Sequence, residues 1–448
     1  MSASDTWQSF PLIEGLKSRR ARRFGMGMNI PGGPLEYRSK HEPVPLTEEE
    51  QAILTFAACG ITGPALNDWN WEKGKGGNVM AGVVGRTVSS SDALQSGAMV
   101  VMDDEATYLI RRPADLSTAE LNDVKELVAK NDFVGAYRAT RVRIGTERRH
   151  PPVESPYNLT GNEWSLHTAG STYFLPIEDL SYLYINILLE FFNEEMAAFC
   201  LDERRFYLPA GLGKFGKSKG GHLDDDPRKL KALPMEFAER LLVETAAIEM
   251  GMMLQNLGLV SQALGLGGFP HYTGHDGGWF EALDFRMAEM PISQYFRVPT
   301  LAKMVLRLRG QDAGFAYPLG LERDGEVLLK PYCPPYYESM EAAVHAVVER
   351  KFGDNGIYRG GIGRGGWREP EKVASGISGI SQKAVDATVA FCEYVYKKSG
   401  RFPSYLPAYH TQMGFQSVHL DVDFYDEFYD PSVVPEVHRS HMRDWHGR

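Results

Sequence analysis

The sequence predicts an α+β fold that combines long helices with an antiparallel pair of strands. A run of good helix formers covers residues 236–264, and no proline interrupts it until Pro270. Two short apolar runs, at residues 97–102 and 106–111, are separated by an acidic turn, as in the two strands of a hairpin.

Length and composition narrow the class of protein. The 448 residues are 43% hydrophobic, which suits two globular domains or one large domain with additions. No charge-free run of about 18 apolar residues occurs, and the first 20 residues lack a signal-peptide core, so we expect a soluble cytoplasmic protein with no membrane partner. The net charge of -10 argues against a nucleic-acid partner. The four scattered cysteines form no CxxC pair and indicate neither zinc nor disulfides.

The long helix has an unusual second half. After Glu249 it is apolar almost all the way round, so we expect burial in a core or in a subunit interface. It ends in Gly-Leu-Gly-Gly at residues 265–268, where glycine can stop a helix in a left-handed conformation and expose its backbone to another group. A buried helix with a glycine cap is the alternative, and it needs no ligand.

Other elements follow from caps and periodicity. Thr47 caps a helix that Gly60 ends, and residues 64–85 form a long loop. Residues 214–222 match no glycine-rich phosphate loop and are expected to form a mobile loop. Further helices are predicted at 116–131, from Ile177 onward, and at 301–308, 341–352 and 382–398, with a strand at 327–330.

Two polar segments are candidates for binding an anionic ligand. An arginine cluster near the start of the chain is first of all compatible with a solvated charged face. Guanidinium groups also suit phosphate oxygens, so a phosphate clamp is the second interpretation, and a nucleic-acid arm is the one that the acidic chain favours least. Serines ahead of a strand can donate hydrogen bonds to a polar ring edge or to phosphate, or can form an ordinary turn. The two segments are the arginines Arg19, Arg20, Arg22 and Arg23 and the serines Ser89, Ser90 and Ser91.

A third group lies near the C-terminus. His419, Asp421 and Asp423 alternate, so in a strand they would share one face and, with His410, could hold a metal ion. The polar face of an edge strand is the alternative. Candidates for proton transfer are Lys330, Tyr332, His271 and His410.

Taken in order, four segments resemble motifs of the FMN-dependent nitroreductase superfamily, and within it the SagB-type dehydrogenases that oxidise azoline rings in peptides. The segments are RRARRF at 19–24, ACGIT at 58–62, RTVSSSDAL at 86–94 and ALGLG at 263–267. The resemblance covers about residues 15–112 and 236–270 and continues less clearly to about 350. In a second possible alignment, residues 63–69 would be the serine-containing motif. We prefer residues 86–94 because a predicted hairpin follows them directly.

The resemblance implies a nitroreductase-like antiparallel-core sheet flanked by helices. It implies a flavin domain at 15–352, with 138–235 as an insertion or lid, and a C-terminal extension at 353–448. It also implies FMN at a homodimer interface, with dehydrogenation or NAD(P)H-driven reduction of a small-molecule or peptide substrate. The cofactor contacts it implies are Arg19, Arg20 and Arg22 or Arg23 to the phosphate, Ser89, Ser90 and Ser91 to the ring or ribityl chain, and Gly267 and Gly268 to the ring edge.

The chain departs from the family pattern at three positions. Ala21 stands where a serine is usual, Ser89 replaces a proline and Asp92 replaces a glycine. A carboxylate near the flavin would disfavour the anionic reduced ring. These changes motivate an alternative, a non-catalytic flavin-binding or regulatory protein of the same fold. A metal enzyme that uses His410, His419, Asp421 and Asp423 is the third hypothesis.

Overall fold

The computed structural model describes residues 7–66, 68, 81–273, 276–360, 365–403, 405–406 and 412–447. The helices in this part of the chain are α1 (Leu12–Ser18), α2 (Glu48–Cys59), α3 (Thr118–Ala129), α4 (Phe133–Thr140), α5 (Leu180–Phe191), α6 (Met235–Leu264), α7 (Asp276–Ala282), α8 (Ile292–Tyr295), α9 (Thr300–Leu308), α10 (Met340–Phe352), α11 (Pro370–Gly376), α12 (Gln382–Ser399), α13 (Val422–Phe428) and α14 (Glu436–His446).

The strands in the same ranges are β1 (Asn29–Ile30), β2 (Tyr37–Arg38), β3 (Ile61–Pro64), β4 (Val84–Arg86), β5 (Gly97–Met102), β6 (Thr107–Ile110), β7 (Arg141–Gly145), β8 (Thr172–Asp179), β9 (Phe199–Asp202), β10 (Leu208–Pro209), β11 (Ala232–Pro234), β12 (Gly267–Thr273), β13 (Arg286–Pro291), β14 (Gly314–Arg323), β15 (Glu326–Leu329), β16 (Tyr405–Leu406) and β17 (Gln412–Val418).

A seven-stranded sheet forms the centre of the molecule. Its order is β12-β17-β8-β5-β6-β7, with β16 paired to β8 beside this path. Every pairing within it is antiparallel. The chain therefore has the mixed α+β character that the sequence predicts. Two of its strands, β7 and β8, come from the range predicted as an insertion, and β17 comes from the predicted extension, so the sheet crosses both predicted boundaries.

Strand β5 is apolar throughout because both faces of the sheet are covered. Met99 and Val101 belong to a core shared with α2 and α6. Val100 and Met102 belong to a core on the opposite face, which includes Trp279 of α7. A strand covered on both faces has no polar side, so it reads as a continuous apolar run rather than an alternating one.

The junction of β8 and α5 corrects one prediction. The sequence predicts a helix from Ile177, but the strand continues to Asp179 and α5 begins at Leu180. The Asp179 carboxylate caps the helix by accepting hydrogen bonds from the backbone amides of Ser181 (3.0 Å) and Tyr182 (3.3 Å). The helix prediction was wrong at this point because one uninterrupted apolar run supplies both the end of the strand and the start of the helix.

Most other predicted elements are confirmed. Thr47 and Glu50 form a reciprocal capping box at the start of α2, and Ser117 forms one with Glu120 at α3. Helices α9, α10 and α12 and strand β15 agree with the predicted segments to within one or two residues. The two ends of the predicted loop at 64–85 pair as β3 and β4, and most of its middle lies outside the described residues.

Helix α6 matches its prediction closely in extent and only partly in burial. It ends at Leu264, and Gly265 follows in a left-handed conformation with φ +85°. Its first half packs with α5, α10 and α12, and its second half packs with α2 and the sheet. One side is open, since Ile248 is 60% exposed and Met252 is 37% exposed.

Within the described ranges, no helix combines the length and the apolarity that are needed to span a bilayer.

We predict that Gly265→Ala lowers the free energy of unfolding more than Gly220→Ala does. Both glycines have φ near +80°, and alanine there costs about 1–2 kcal/mol. A Cβ at Gly265 would also collide with the carbonyl oxygen of Val437, whereas a Cβ at Gly220 would meet nothing within 4 Å. We expect a total of about 3 kcal/mol or more for Gly265→Ala. Urea unfolding of the two variants measures the difference, and equal losses would contradict the assigned packing of α14 on this turn.

Candidate functional site

The serine segment lies along helix α6. The Asn256 side-chain amide donates hydrogen bonds to the backbone oxygens of Thr87 (3.1 Å) and Ala57 (3.0 Å). The Ser90 hydroxyl accepts a hydrogen bond from the Gln95 amide (3.0 Å). It also hydrogen-bonds the Glu249 carboxylate. These contacts fix the chain from Thr87 to Ser90 beside the middle of the helix.

Arg19 lies against the same helix. A Cβ placed on Gly258 would be 3.4 Å from Arg19 Nε and 3.5 Å from its Nη2. The Nε atom is buried and has no hydrogen-bond partner among the described residues. Arg20 is exposed, and its Nη1 donates to the backbone oxygens of Lys17 (3.3 Å) and Arg19 (2.8 Å). Arg19 and Arg20 are therefore the members of the cluster that can turn towards an external anion.

Arg22 has protein partners on every side. Its Nε and Nη2 donate to the backbone oxygen of Val433 (2.9 and 2.6 Å), and Nη1 donates to Gln262 Oε1 (2.8 Å). Burial lowers the pKa of its guanidinium to about 10. The side chain joins the N-terminal segment to α6 and to the last part of the chain. Its surroundings do not fit the predicted phosphate contact.

Arg23 is held by an amide and two aromatic rings. Its Nη1 donates to Asn162 Oδ1 (3.0 Å), and its guanidinium carbon lies 5.0 Å from the centre of the Trp164 ring and 4.9 Å from that of Phe269. Burial lowers the pKa of this guanidinium as well. A planar cation between rings is stabilised by cation–π attraction, so Arg23 has a structural partner set of its own.

Gly267 and Gly268 lie in a strand rather than at an open helix end. Both belong to β12, where they pair with Val418 and Ser417 of β17. A Cβ on Gly267 would meet the Leu420 side chain, and a Cβ on Gly268 would meet the Phe415 ring. The resemblance implies a cofactor ring at these glycines, but protein side chains fill the space, so the predicted contact does not fit.

An exposed strip of α6 separates the serine segment from Arg19. Ile248 and Met252 are exposed on it and Leu259 is partly exposed. Successive residues of an α-helix are rotated by about 100°. This rotation places Glu249 and Asn256 on one side of the strip and Gly258 on the other. The strip therefore has serine hydroxyls and backbone along one edge and a guanidinium along the opposite edge.

A pair of buried carboxyl groups lies next to the serine segment. Glu178 of β8 and Glu249 of α6 face the same glycine, since a Cβ on Gly97 would lie 2.7 Å from Glu178 Oε2 and 3.3 Å from Glu249 Oε1. Ser96 donates a hydrogen bond to the other oxygen of Glu178. Burial, and then the charge of Glu249, raise the pKa of Glu178 well above its ordinary value.

Burial also raises the pKa of Glu249, so the two groups hold a proton in the folded protein at pH values where the unfolded chain has lost it. This pair was not predicted from the sequence. Glu249 is the last acidic residue before an apolar stretch, but its partner Glu178 lies 71 positions earlier, and nothing in the sequence relates the two.

The proton-transfer candidates lie apart. His271 is buried in β12, where its Nε2 lies 3.0 Å from the Tyr173 hydroxyl, and burial lowers its pKa to about 3. The Tyr332 amide donates to the Ser181 hydroxyl (2.7 Å), and the exposed Lys330 lies over the Tyr337 ring. Tyr173 is near the start of β8, whereas Ser181 is in the first turn of α5, beyond the other end of the strand and about 20 Å away along it. His410 lies outside the described residues.

The predicted metal group at the C-terminus is divided in two. Strand β17 ends at Val418, and Asp421 caps α13 by accepting a hydrogen bond from the Phe424 amide (3.3 Å). The expected alternation in a strand was therefore wrong. Asp423 lies in the first turn of α13 and contacts His41 at 3.0 Å, whereas His419 turns the other way.

His419 instead meets Glu50, His441 and His446. The Nε2 atoms of the three histidines lie 3.2, 2.9 and 3.2 Å from Glu50 Oε1 in that order. Burial alone would raise the pKa of Glu50, yet its contacts with the three imidazoles hold it well below the ordinary value. The sequence offered only a weak signal for this group, because Glu50 reads as a helix cap and the sequence HRSHMRDWH near the C-terminus has no regular metal-ligand spacing.

No protein-family model matches the chain, and no curated protein matches it. Among solved structures, it is similar to a chain from Ralstonia eutropha JMP134 that carries a provisional nitroreductase name. The identity is 12% and the TM-score 0.31, over 62% of this chain and 77% of that one. A similarity at this TM-score carries no argument about fold or function. It does not bear on the SagB-type subgroup, which stays a prediction.

We predict that Glu249→Gln weakens the pH dependence of stability. The folded pKa of each buried carboxyl is above its unfolded value of 4.5, so their contribution is complete below about pH 4.5 and is lost as the pH rises. Each proton released on unfolding changes the stability by about 1.4 kcal/mol per pH unit. Urea unfolding between pH 5 and 8 should therefore give a shallower decline for Glu249→Gln than for the wild type.

The control is Glu244→Gln, on the same helix, where the side chain is 64% exposed. It should keep the wild-type decline. If both variants follow the wild-type curve, Glu178 and Glu249 do not share a proton in solution.

Proposed function

We propose that the protein is an FMN-dependent oxidoreductase, which dehydrogenates its substrate or reduces it with electrons from NAD(P)H. One observation carries the proposal. The arginine segment and the serine segment border the same exposed strip of α6. Both segments resemble FMN motifs of the nitroreductase superfamily, and α6 itself ends in a further such segment, at residues 263–267. The arginine and serine segments are far apart in sequence, at residues 19–20 and 86–91, so their approach is a property of the fold rather than of local sequence.

The residues around the strip fit the parts of FMN in chemical terms. Arg19 has a buried Nε without a partner, and Arg20 is exposed beside it, so the two can bind a phosphate group. The exposed Ser89 offers a hydroxyl group to the polar edge of a ring. The apolar strip with Ile248 and Met252 suits one face of the ring.

The other predicted contacts have a different place in the proposal. Arg22 and Arg23 position the N-terminal segment through their protein partners, and they do not reach the phosphate. Bound FMN would supply two-electron transfer, and the chain would bind and orient the ring and exclude water from its face. None of the proton-transfer candidates is assigned a role, since Lys330, Tyr332 and His271 do not border the strip.

We predict that the purified protein binds FMN and that Arg19→Gln weakens this binding. A hydrogen bond to a charged group contributes about 1.5–3 kcal/mol, so the dissociation constant should rise about 10- to 100-fold. Quenching of FMN fluorescence during titration measures it. Arg309→Gln is the control, because Arg309 is an exposed arginine that directly follows the last residue of α9. Equal affinities for the two variants would remove Arg19 from the site.

A reduction experiment separates the enzyme from the non-catalytic alternative. Under anaerobic conditions, the flavin absorbance of the loaded protein should bleach when NADPH or NADH is added. Protein that binds FMN but is reduced by neither nucleotide, nor by any of a panel of azoline-containing peptides, would favour the binding or regulatory protein. If the protein binds no FMN, both the FMN-dependent enzyme and the non-catalytic flavin-binding protein are excluded.

We also propose that the exposed strip of α6 is the centre of a homodimer interface. Exposed apolar residues cluster there: Ile248 and Met252 on α6, and Leu12, Ile13 and Leu16 on the neighbouring α1, which packs against α6. A second copy across this strip would cover the apolar surface and enclose a ligand bound on it.

The dimer proposal predicts that Ile248→Glu produces monomers. A buried unpaired carboxylate at an interface is strongly unfavourable, so association should weaken by at least about 100-fold. Light scattering after size exclusion, over a range of concentrations, measures the mass. Leu230→Glu, at a residue that is 97% exposed and lies outside α6, 18 positions before Ile248, should leave the mass unchanged. A wild-type protein that is monomeric at all concentrations would contradict the proposal.

A further inference from the structure

Three imidazole nitrogens and one carboxylate oxygen converge at a single buried point. The side chains of Glu50, His419, His441 and His446 are 0, 0, 2 and 11% exposed. One ligand-type atom from each lies within 4.8 Å of every other. They come from three separate elements: the first turn of α2, the residue after β17, and helix α14.

Two of the imidazoles have a fixed tautomer. His419 Nδ1 lies 2.8 Å from the backbone oxygen of Val44, and His441 Nδ1 lies 2.7 Å from that of Leu264. A backbone oxygen can only accept, so each Nδ1 carries the hydrogen and donates it. Metal-bound histidines typically use their second nitrogen in this way. The Nε2 lone pair of each ring is then directed at the shared point.

The Glu50 carboxylate is also held in a fixed orientation by hydrogen bonds. Glu50 Oε2 accepts hydrogen bonds from the Thr47 amide (2.6 Å) and the Thr47 hydroxyl (2.9 Å), so one oxygen caps α2. The other oxygen, Oε1, is left to face the three rings. The capping box with Thr47 thus fixes the Glu50 side chain so that Oε1 can bind a metal ion, just as hydrogen bonds commonly orient the ligands of metal sites.

A cation at the shared point would fit this arrangement. In neutral imidazoles that carry the hydrogen on Nδ1, the Nε2 lone pairs of His419 and His441 face Glu50 Oε1 at 3.2 and 2.9 Å. His441 Nε2 is buried and has no well-aligned hydrogen bond among the residues that the structure describes, although it lies 2.9 Å from Glu50 Oε1. A divalent ion at the shared point would be attracted by all four atoms. Ligands about 2.0–2.1 Å from a tetrahedral centre are about 3.3 Å apart, which is close to the three observed separations.

We propose that Glu50, His419, His441 and His446 bind one divalent transition-metal ion of the zinc type in a closed, four-coordinate structural site. Three imidazoles and a carboxylate suit zinc, and tetrahedral geometry favours zinc over magnesium or calcium, which take six or more oxygen ligands. The four protein ligands fill the coordination sphere and are buried, so the ion has a structural role. It ties α14 and the end of β17 to the start of α2, across almost the whole length of the chain.

Metal content and ligand geometry test the site on the full-length wild-type protein. The protein is purified without a histidine tag, incubated with zinc chloride and dialysed. Mass spectrometry of the elements should then give about one zinc ion per chain. X-ray absorption at the zinc edge should give four nitrogen or oxygen ligands at about 2.0–2.1 Å. Neither measurement depends on flavin, so a negative result for the zinc site would be distinct from a negative result for the oxidoreductase proposal.

Variants link the ion to these residues. His446→Asn removes the least buried ligand, and Glu50→Gln keeps an oxygen that can cap α2 while removing the charge. The loss of an outer partner weakens metal binding about 10- to 100-fold, so the loss of a direct ligand should weaken it by at least that factor. Bound zinc should fall below about a tenth of an equivalent. His345→Asn, at an exposed histidine of α10, should retain one equivalent.

Removal of the ion should loosen the C-terminal helix. A strong chelator should lower the melting temperature of the wild type and of His345→Asn and expose α14 to protease, with little effect on His446→Asn. Less than a tenth of an equivalent of zinc in the wild type would overturn the proposal. So would equal zinc in the wild type and both ligand variants, or a six-coordinate oxygen environment. If the variants do not fold, the wild-type content and absorption spectrum decide alone.

Discussion

The burial of one long helix against two separate cores is the constraint on which the rest of the structure depends. Helix α6 has thirty residues and is about 45 Å long. Met235, Leu242 and Met250 pack with the helices α5, α10 and α12, whereas Met253 and Leu257 pack with α2 and the central sheet. Neither core is complete without it. The helix therefore sets the relative position of the helical half of the chain and the sheet, and it also fixes which of its own faces stays open.

Residues from the N-terminal and C-terminal segments of the chain make polar contacts with the last turns of α6. Gln262 accepts a hydrogen bond from Arg22, near the N-terminus, and its amide lies 2.8 Å from His438 Nε2 in α14. The backbone oxygen of Leu264 accepts from His441. The carbonyl groups at a helix C-terminus lack partners within the helix, so the contact from His441 satisfies one of them. Segments more than four hundred residues apart in sequence are thus neighbours in space.

Local sequence patterns predicted most helices and strands correctly. They could not predict contacts between residues that are far apart in the sequence. Thr47, Ser117 and Gly265 sit at the helix ends where their capping chemistry placed them, because a cap depends on residues within one turn. Strand β8 was missed because burial on both faces removes the alternation that identifies a strand. Arg22 was assigned to a phosphate because a sequence shows the guanidinium but not Val433, its acceptor 411 positions later.

The order of the central sheet bears on how the protein is made. Strand β17 lies between the edge strand β12 and β8, although it is the last of these strands to be synthesised. At about 5–20 residues per second, the 145 residues from 273 to 418 take about 7 to 30 s to translate. During that interval β12 and β8 each present an unpaired edge, the kind of surface through which nascent chains pair with one another. The nascent chain therefore carries these unpaired edges until β17 has been synthesised and can pair with both strands.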